Sequence, residues 1–259
     1  MNKKIIIAVS LIIVLGLTLV GCGGSETETD PNAPDAKTSV GIHASVQHEV
    51  DSPEWVKKLP AAASANQLFV VAGMGMDKTT GFVTMHKKDS SGNWKQILSS
   101  PCYVGENGLC PDAQYKEGVK QTPIGTYKFN KAFGVGEDIG CAIPYTKVNE
   151  NTYICRDVND SHYNQFIDIT QTPNVNKDEC VNIYEREYDF QYCLNISFNE
   201  ECTPGRGSAI FLRCLGQEKP YTGGCVAVPE NIMQLIMKNV DKDCVVVIDT
   251  MENLGAELQ

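Results

Sequence analysis

From Gln67 onward, apolar residues come in short runs, without the three-to-four-residue spacing of helices. The runs Leu68–Ala72, Gly81–Lys87, Trp94–Leu98, Gly125–Phe129, Phe166–Thr170, Tyr192–Phe198, Ala209–Leu212, Cys225–Val228 and Val245–Asp249 are rich in β-branched and aromatic residues and are bounded by Gly, Pro, Asn or Asp. That is the pattern of strands separated by turns. One late segment differs: after Pro229-Glu230, the residues Ile232, Met233, Leu235, Ile236 and Val240 recur at helical spacing, predicting an amphipathic helix with one apolar face. A shorter helix is expected after Ser52-Pro53-Glu54-Trp55, with Ser52 as its cap and proline in its first turn. The pattern predicts one mainly β domain, a sandwich or open barrel with a few short helices, spanning 52–252 and followed by a tail, 253–259.

The segment before this domain reads differently. Lys3 and Lys4 precede an apolar run from Ile5 to Val20 and then Leu19-Val20-Gly21-Cys22. This is the layout of an export signal over 1–21. Its end resembles a lipobox, in which Cys22 would carry lipid and begin the mature chain. The alternative is an uncleaved membrane anchor, for which the run is short of the roughly 20 apolar residues a spanning helix needs. Residues 22–51 are rich in Gly, Ser, Thr, Asp, Glu and Pro, predicting a flexible acidic tether. The expected setting is therefore extracytoplasmic, on the outer face of a membrane reached only through the N-terminal lipid, with the domain a monomer.

The formal net charge of −10 over 259 residues, with no basic cluster outside the N-terminus, excludes nucleic acid as a partner. Eleven cysteines suit an exported chain. Cys102 with Cys110 and Cys193 with Cys202 are the short-range candidates for disulfides, although spacing does not fix connectivity. No Cys-x-x-Cys, His-Glu-x-x-His, phosphate loop or Gly-x-Ser-x-Gly occurs, and the four histidines (His43, His48, His86, His162) do not cluster. Neither a metal nor a cofactor is expected. Gly134, Gly136 and Gly140 have the wrong last gap, and the wrong surroundings, for a dinucleotide fingerprint.

The chemistry concentrates in Tyr221-Thr-Gly-Gly-Cys225. Cysteine catalysis needs a thiolate, a proton carrier and donors for an oxyanion, and glycines beside a cysteine let backbone N–H groups approach a reacting carbonyl. The same pattern also fits a disulfide half or a small buried side chain. A wider match narrows it. Gly207-Ser-Ala-Ile-Phe-Leu-Arg213 followed by Thr222-Gly-Gly-Cys225-Val-Ala227, with Glu117-Gly-Val-Lys-Gln-Thr-Pro-Ile-Gly-Thr-Tyr127 and Tyr163-Asn164 upstream, resembles the L,D-transpeptidase (YkuD-type) catalytic domain. The resemblance covers about residues 52–250.

It implies a YkuD-like β-rich fold and an exported enzyme acting on peptidoglycan stem peptides through a cysteine thioester. Cys225 would be the nucleophile, the backbone of Gly223 and Gly224 the oxyanion donors, and Tyr221 and Thr222 substrate contacts. It leaves open three outcomes: transpeptidation, hydrolysis of the same bond as an L,D-carboxypeptidase, and a degenerate domain that only binds stems. The departures sharpen this choice. Arg213 stands where the family has a histidine, Cys180 where this branch often has a second, and Val119 where it has an aspartate. Arginine does not accept a proton, and loss of a general base costs about 10²–10⁴ in rate, whereas a nearby guanidinium favours a thiolate. His162 is the best substitute proton carrier; Arg213 could instead clamp a carboxylate or pair with Glu218 or Asp249. A disulfide from Cys225 to Cys214 or Cys180 would leave a domain without catalysis.

Overall fold

A computed structural model describes residues 49–216 and 219–257. Cys22, the export signal and nearly all of the expected tether lie outside the described residues. The strands are β1 (Val50–Asp51), β2 (Gln67–Gly73), β3 (Thr80–Lys88), β4 (Trp94–Tyr103), β5 (Leu109–Pro111), β6 (Thr122–Gly134), β7 (Tyr145–Lys147), β8 (Thr152–Cys155), β9 (Phe166–Asp168), β10 (Cys180–Asn182), β11 (Cys193–Ile196), β12 (Phe211–Cys214), β13 (Val226–Val228) and β14 (Val245–Thr250). The α-helices are α1 (Glu54–Lys57), α2 (Glu230–Asn239) and α3 (Met251–Leu254). All nine expected strands and both expected helices are present, and the fold is mainly β, as the periodicity predicts.

The main sheet runs β4-β13-β12-β11-β6-β14-β2-β3, and β3 pairs again with β4, so eight strands hydrogen-bond around a closed ring. Closure removes the exposed edges that an open sheet would present. β2 is buried along its whole length, pairing in parallel with β14 on one side and antiparallel with β3 on the other. This is why Leu68–Ala72 reads as a continuous apolar run without alternation. Inside the ring pack Phe69, Met85, Leu194, Leu212 and Val226, with Ile232, Met233, Ile236 and Met237 of α2.

Three features differ from the sequence reading. Val50–Asp51, inside the expected tether, pair with Lys95 and Gln96 of β4. Ser52 does not cap α1; its hydroxyl is 2.9 Å from Nδ1 of buried His86, and Pro53 occupies the cap position. A buried imidazole needs a polar partner, whereas the first turn of α1 is open to water. Finally, β8, β9 and β10 form a separate three-stranded sheet, in the order β10-β8-β9, of which only β9 was anticipated. Neither short-range cysteine pair is joined: Cys110 Sγ donates to the carbonyl of Pro111, Cys193 Sγ lies 4.0 Å from the carbonyl of Asp189, and Cys202 Sγ turns to the carbonyls of Asn164 and Glu200.

Candidate active site

Cys225 ends the turn that leads into β13 and is half-buried. Its thiol donates to the carbonyl of Ala209 at 3.3 Å. The turn is wired internally. Thr222 Oγ1 accepts from the Gly224 N–H at 3.0 Å and donates to the Cys225 carbonyl at 2.5 Å, while Thr122 Oγ1 accepts from the Gly105 N–H at 2.9 Å and donates to the Gly224 carbonyl at 2.9 Å. Gly224 has φ +134°, and a Cβ there would stand 2.8 Å from the Gln121 carbonyl oxygen and from the Tyr115 hydroxyl. Glycine is required at this position on both counts. A Cβ on Gly223 would meet nothing within 4 Å.

The Gly224 N–H is thus committed to Thr222, and Thr222 itself is buried with its hydroxyl used inside the turn. The N–H groups of Gly223 and Cys225 have no acceptor among the described residues. Two unengaged amides close to one thiol are donors of the kind an oxyanion requires.

Behind Ala209 lies a polar cluster that sequence reasoning did not assemble. Glu117 Oε1 accepts from Arg156 Nη2 at 2.6 Å; Glu117 Oε2 accepts from the Tyr163 hydroxyl at 2.5 Å and from the Ser208 hydroxyl at 2.7 Å; Arg156 Nε donates to Ser208 Oγ at 3.3 Å. Tyr163 Oη in turn accepts from the Gly207 N–H at 3.0 Å. Asn164 Oδ1 accepts from the Ala209 N–H at 3.0 Å, with both residues in the left-handed region, at φ +59° and +58°. A non-glycine residue there is strained, and the surrounding hydrogen bonds hold it. The effect is to aim the Ala209 carbonyl at the Cys225 thiol. The segments 117–127, 163–164, 207–213 and 222–227, far apart in the chain, therefore meet around one sulfur.

A cleft of about 490 Å³ opens onto this point. Its apolar wall includes Ile154 and Phe211, and Cys225, Gly223, Tyr221 and Arg156 also line it. Burial works against the Arg156 charge, but the hydrogen bond and charge of Glu117, with a smaller contribution from Cys225, hold its pKa above the ordinary arginine value. Arg156 is thus a positive charge within electrostatic reach of Cys225.

Arg213 lines the same cleft but is engaged: Nη1 donates to Asp189 Oδ1 at 3.0 Å and to the Cys214 carbonyl at 2.7 Å, and the guanidinium lies over Phe190. The side chains of this pair are 11% and 17% exposed, so removing either partner would strand a largely desolvated charge. Of the two partners expected from sequence, Asp249 instead accepts from Asn253 Nδ2, and Glu218 lies outside the described residues. Cys214 packs in the cluster inside the ring, whereas Cys225 packs against the cluster around Phe133 and Phe211; Cys180 stands opposite Cys155. His162 pairs with Asp160 at 2.7 Å and does not line the cleft, and His86 is buried elsewhere. Among the described residues, no histidine reaches Cys225, and no group of His, Cys, Asp and Glu is arranged to hold a metal ion.

No protein-family model and no curated protein matches the chain. Among solved structures it is similar to two of the helical cell shape determining protein Pgp2 from Campylobacter jejuni. One is a point-mutant form, at 14% identity with a TM-score of 0.40, covering 71% of this chain and 48% of the other. The second is at 12% identity with a TM-score of 0.39, covering 76% of this chain and 54% of the other. This chain therefore spans about half the length of those structures.

Proposed function

We propose that this chain is an exported acyl transferase of the L,D-transpeptidase type, acting on peptidoglycan stem peptides at the outer face of the membrane, to which Cys22 anchors it. The observation that carries this reading is the Cys225 thiol in a cleft beside the unengaged N–H groups of Gly223 and Cys225 itself. The sulfur attacks the carbonyl of the L-centre of a diamino acid in a tetrapeptide stem. The carbonyl electron pair moves onto oxygen, where the two N–H groups receive it. Collapse breaks the bond to the terminal D-alanine, whose nitrogen takes up, as it leaves, a proton equivalent to the one that the Cys225 thiol gave up on attack. The stem remains as a thioester, which an amine of a second stem, or water, then resolves.

Arg156 lines the same cleft as the reacting sulfur and brings a fixed positive charge to it, held in place by Glu117 and Ser208. Tyr221 on the cleft rim would contact the stem, and Thr222 would support that contact by shaping the turn. Arg213, paired with Asp189, builds the wall of the cleft at the family's histidine position and is not a base. Incubation of the full chain with a tetrapeptide stem should release D-alanine, read by mass spectrometry. Cys225→Ala should abolish that release, and equal release from the variant would overturn the reading.

A second reading, a domain that binds stems without turning them over, is favoured by the absence of a histidine from the described cleft. It predicts that the chain sediments with isolated peptidoglycan equally well with and without Cys225→Ala, while no D-alanine is released.

A further inference from the structure

Cys155 and Cys180 are Cα partners on the antiparallel strands β8 and β10. The Arg156 N–H donates to the Glu179 carbonyl at 3.2 Å. A bond from the residue after one partner to the residue before the other marks a non-hydrogen-bonded pair, the kind whose Cα atoms stand closest, roughly 4.5 Å apart. That spacing lies inside the range a disulfide spans. Both are free thiols in the structure, and the Cys180 thiol donates to the Asn176 carbonyl at 3.4 Å. No other two cysteines among the described residues face each other across neighbouring strands: Cys102 faces Gly81, Cys110 faces Pro123, Cys193 faces Phe133 and Arg213, and Cys214 faces Val228.

We infer that Cys155 and Cys180 close a cross-strand disulfide that staples the small sheet and fixes Arg156 at the cleft. The link matters because of what it borders. Arg156 is the residue after Cys155, and its guanidinium ties Glu117 and Ser208 together one residue from the carbonyl that receives the Cys225 thiol. The small sheet has only three strands of three or four residues each, near the minimum for a stable sheet. A covalent link between β8 and β10 adds a constraint to it. It also removes Cys180 from the set of thiols able to capture Cys225.

Closure proceeds by thiol–disulfide exchange with an oxidised dithiol or glutathione disulfide. One cysteine thiolate attacks the external disulfide and expels a thiolate. The second cysteine then attacks the mixed disulfide and expels the other. Two protons and two electrons leave the protein, and two external thiols form.

The test uses the full chain in detergent, equilibrated with glutathione disulfide, alkylated without reduction and cut with trypsin. Cleavage after Lys147, Arg156, Lys177 and Arg186 puts each cysteine in its own peptide, 148–156 and 178–186. A cross-linked species of these two peptides is the expected result. Alkylated Cys155 or Cys180, or linkage of either to another cysteine, would overturn the inference. Amide exchange of residues 152–155 should slow by about ten- to hundredfold in the oxidised chain relative to the same chain after reduction. It should be the same in both states for Cys155→Ser. Equal exchange in the oxidised and reduced wild type would refute the stapling role. The proposal stands independently of whether Cys225 forms a thioester.

Discussion

Gly223 and Gly224 are sequence neighbours with opposite tolerances. At Gly224 a methyl group meets backbone and a tyrosine hydroxyl, at a φ that L-residues avoid. Gly224→Ala should therefore cost about 2 kcal/mol, combining backbone strain with overpacking. At Gly223 the same methyl group enters open space, so Gly223→Ala should change stability by less than about 0.5 kcal/mol. Urea unfolding of both variants compares them directly, and equal midpoints would mean that the turn is built differently. The position of Cys225 after two glycines was legible in the sequence. That the second glycine serves the turn, while the first has an N–H with no acceptor among the described residues, was not, because this depends on Thr222 folding back onto Gly224. Arg156 was missed for a different reason. It follows a short strand whose apolar content, Tyr-Ile-Cys, is too brief to stand out, and its partner Glu117 lies far away in sequence.

Among the elements, long runs such as β2 and β14 could be read because each is buried on both faces or alternates cleanly. The three-residue strands β5, β7 and β10 were not, since so few positions carry no periodicity. The contact between β3 and the start of α1 yields a pH prediction. His86 is fully buried between Ser52 and Thr84, edge-on to Trp55, and burial pushes its pKa down to about 3. The unfolded chain binds a proton near pH 6.5 that the folded chain does not, so stability falls as pH drops through 6.5. The loss should be about 1.4 kcal/mol between pH 7.5 and 5.5, a window above the carboxylate range. Urea midpoints at the two pH values measure it. His86→Gln should flatten the difference, and a wild type with equal midpoints would contradict the assignment.

Among the described residues, the closed ring is the scaffold, and the cleft beside Cys225 is lined by residues of the small sheet, such as Ile154 and Val181, and of the loops around it. An acidic chain, −10 overall, nevertheless brings Arg156, Arg186, Arg213, Lys120 and Lys219 to one cleft, interleaved with Glu106, Glu185 and Asp189. Such a surface suits a substrate bearing both charges, as a stem peptide with free amine and carboxylate groups does. Strand periodicity alone gives a mainly β domain, a sandwich or open barrel; the closure of the sheet through the second pairing of β3 with β4 is not written in it. Nor is the cleft, because it exists only once segments more than a hundred residues apart have met.

The central claim is that Cys225 is a nucleophile. It is tested most directly by the intact mass of the full chain after incubation with a carbapenem, whose strained lactam offers a reactive carbonyl. The account predicts one added carbapenem mass, mapped to Cys225 and absent from Cys225→Ala. An unmodified wild type, or an adduct that survives in Cys225→Ala, would contradict it.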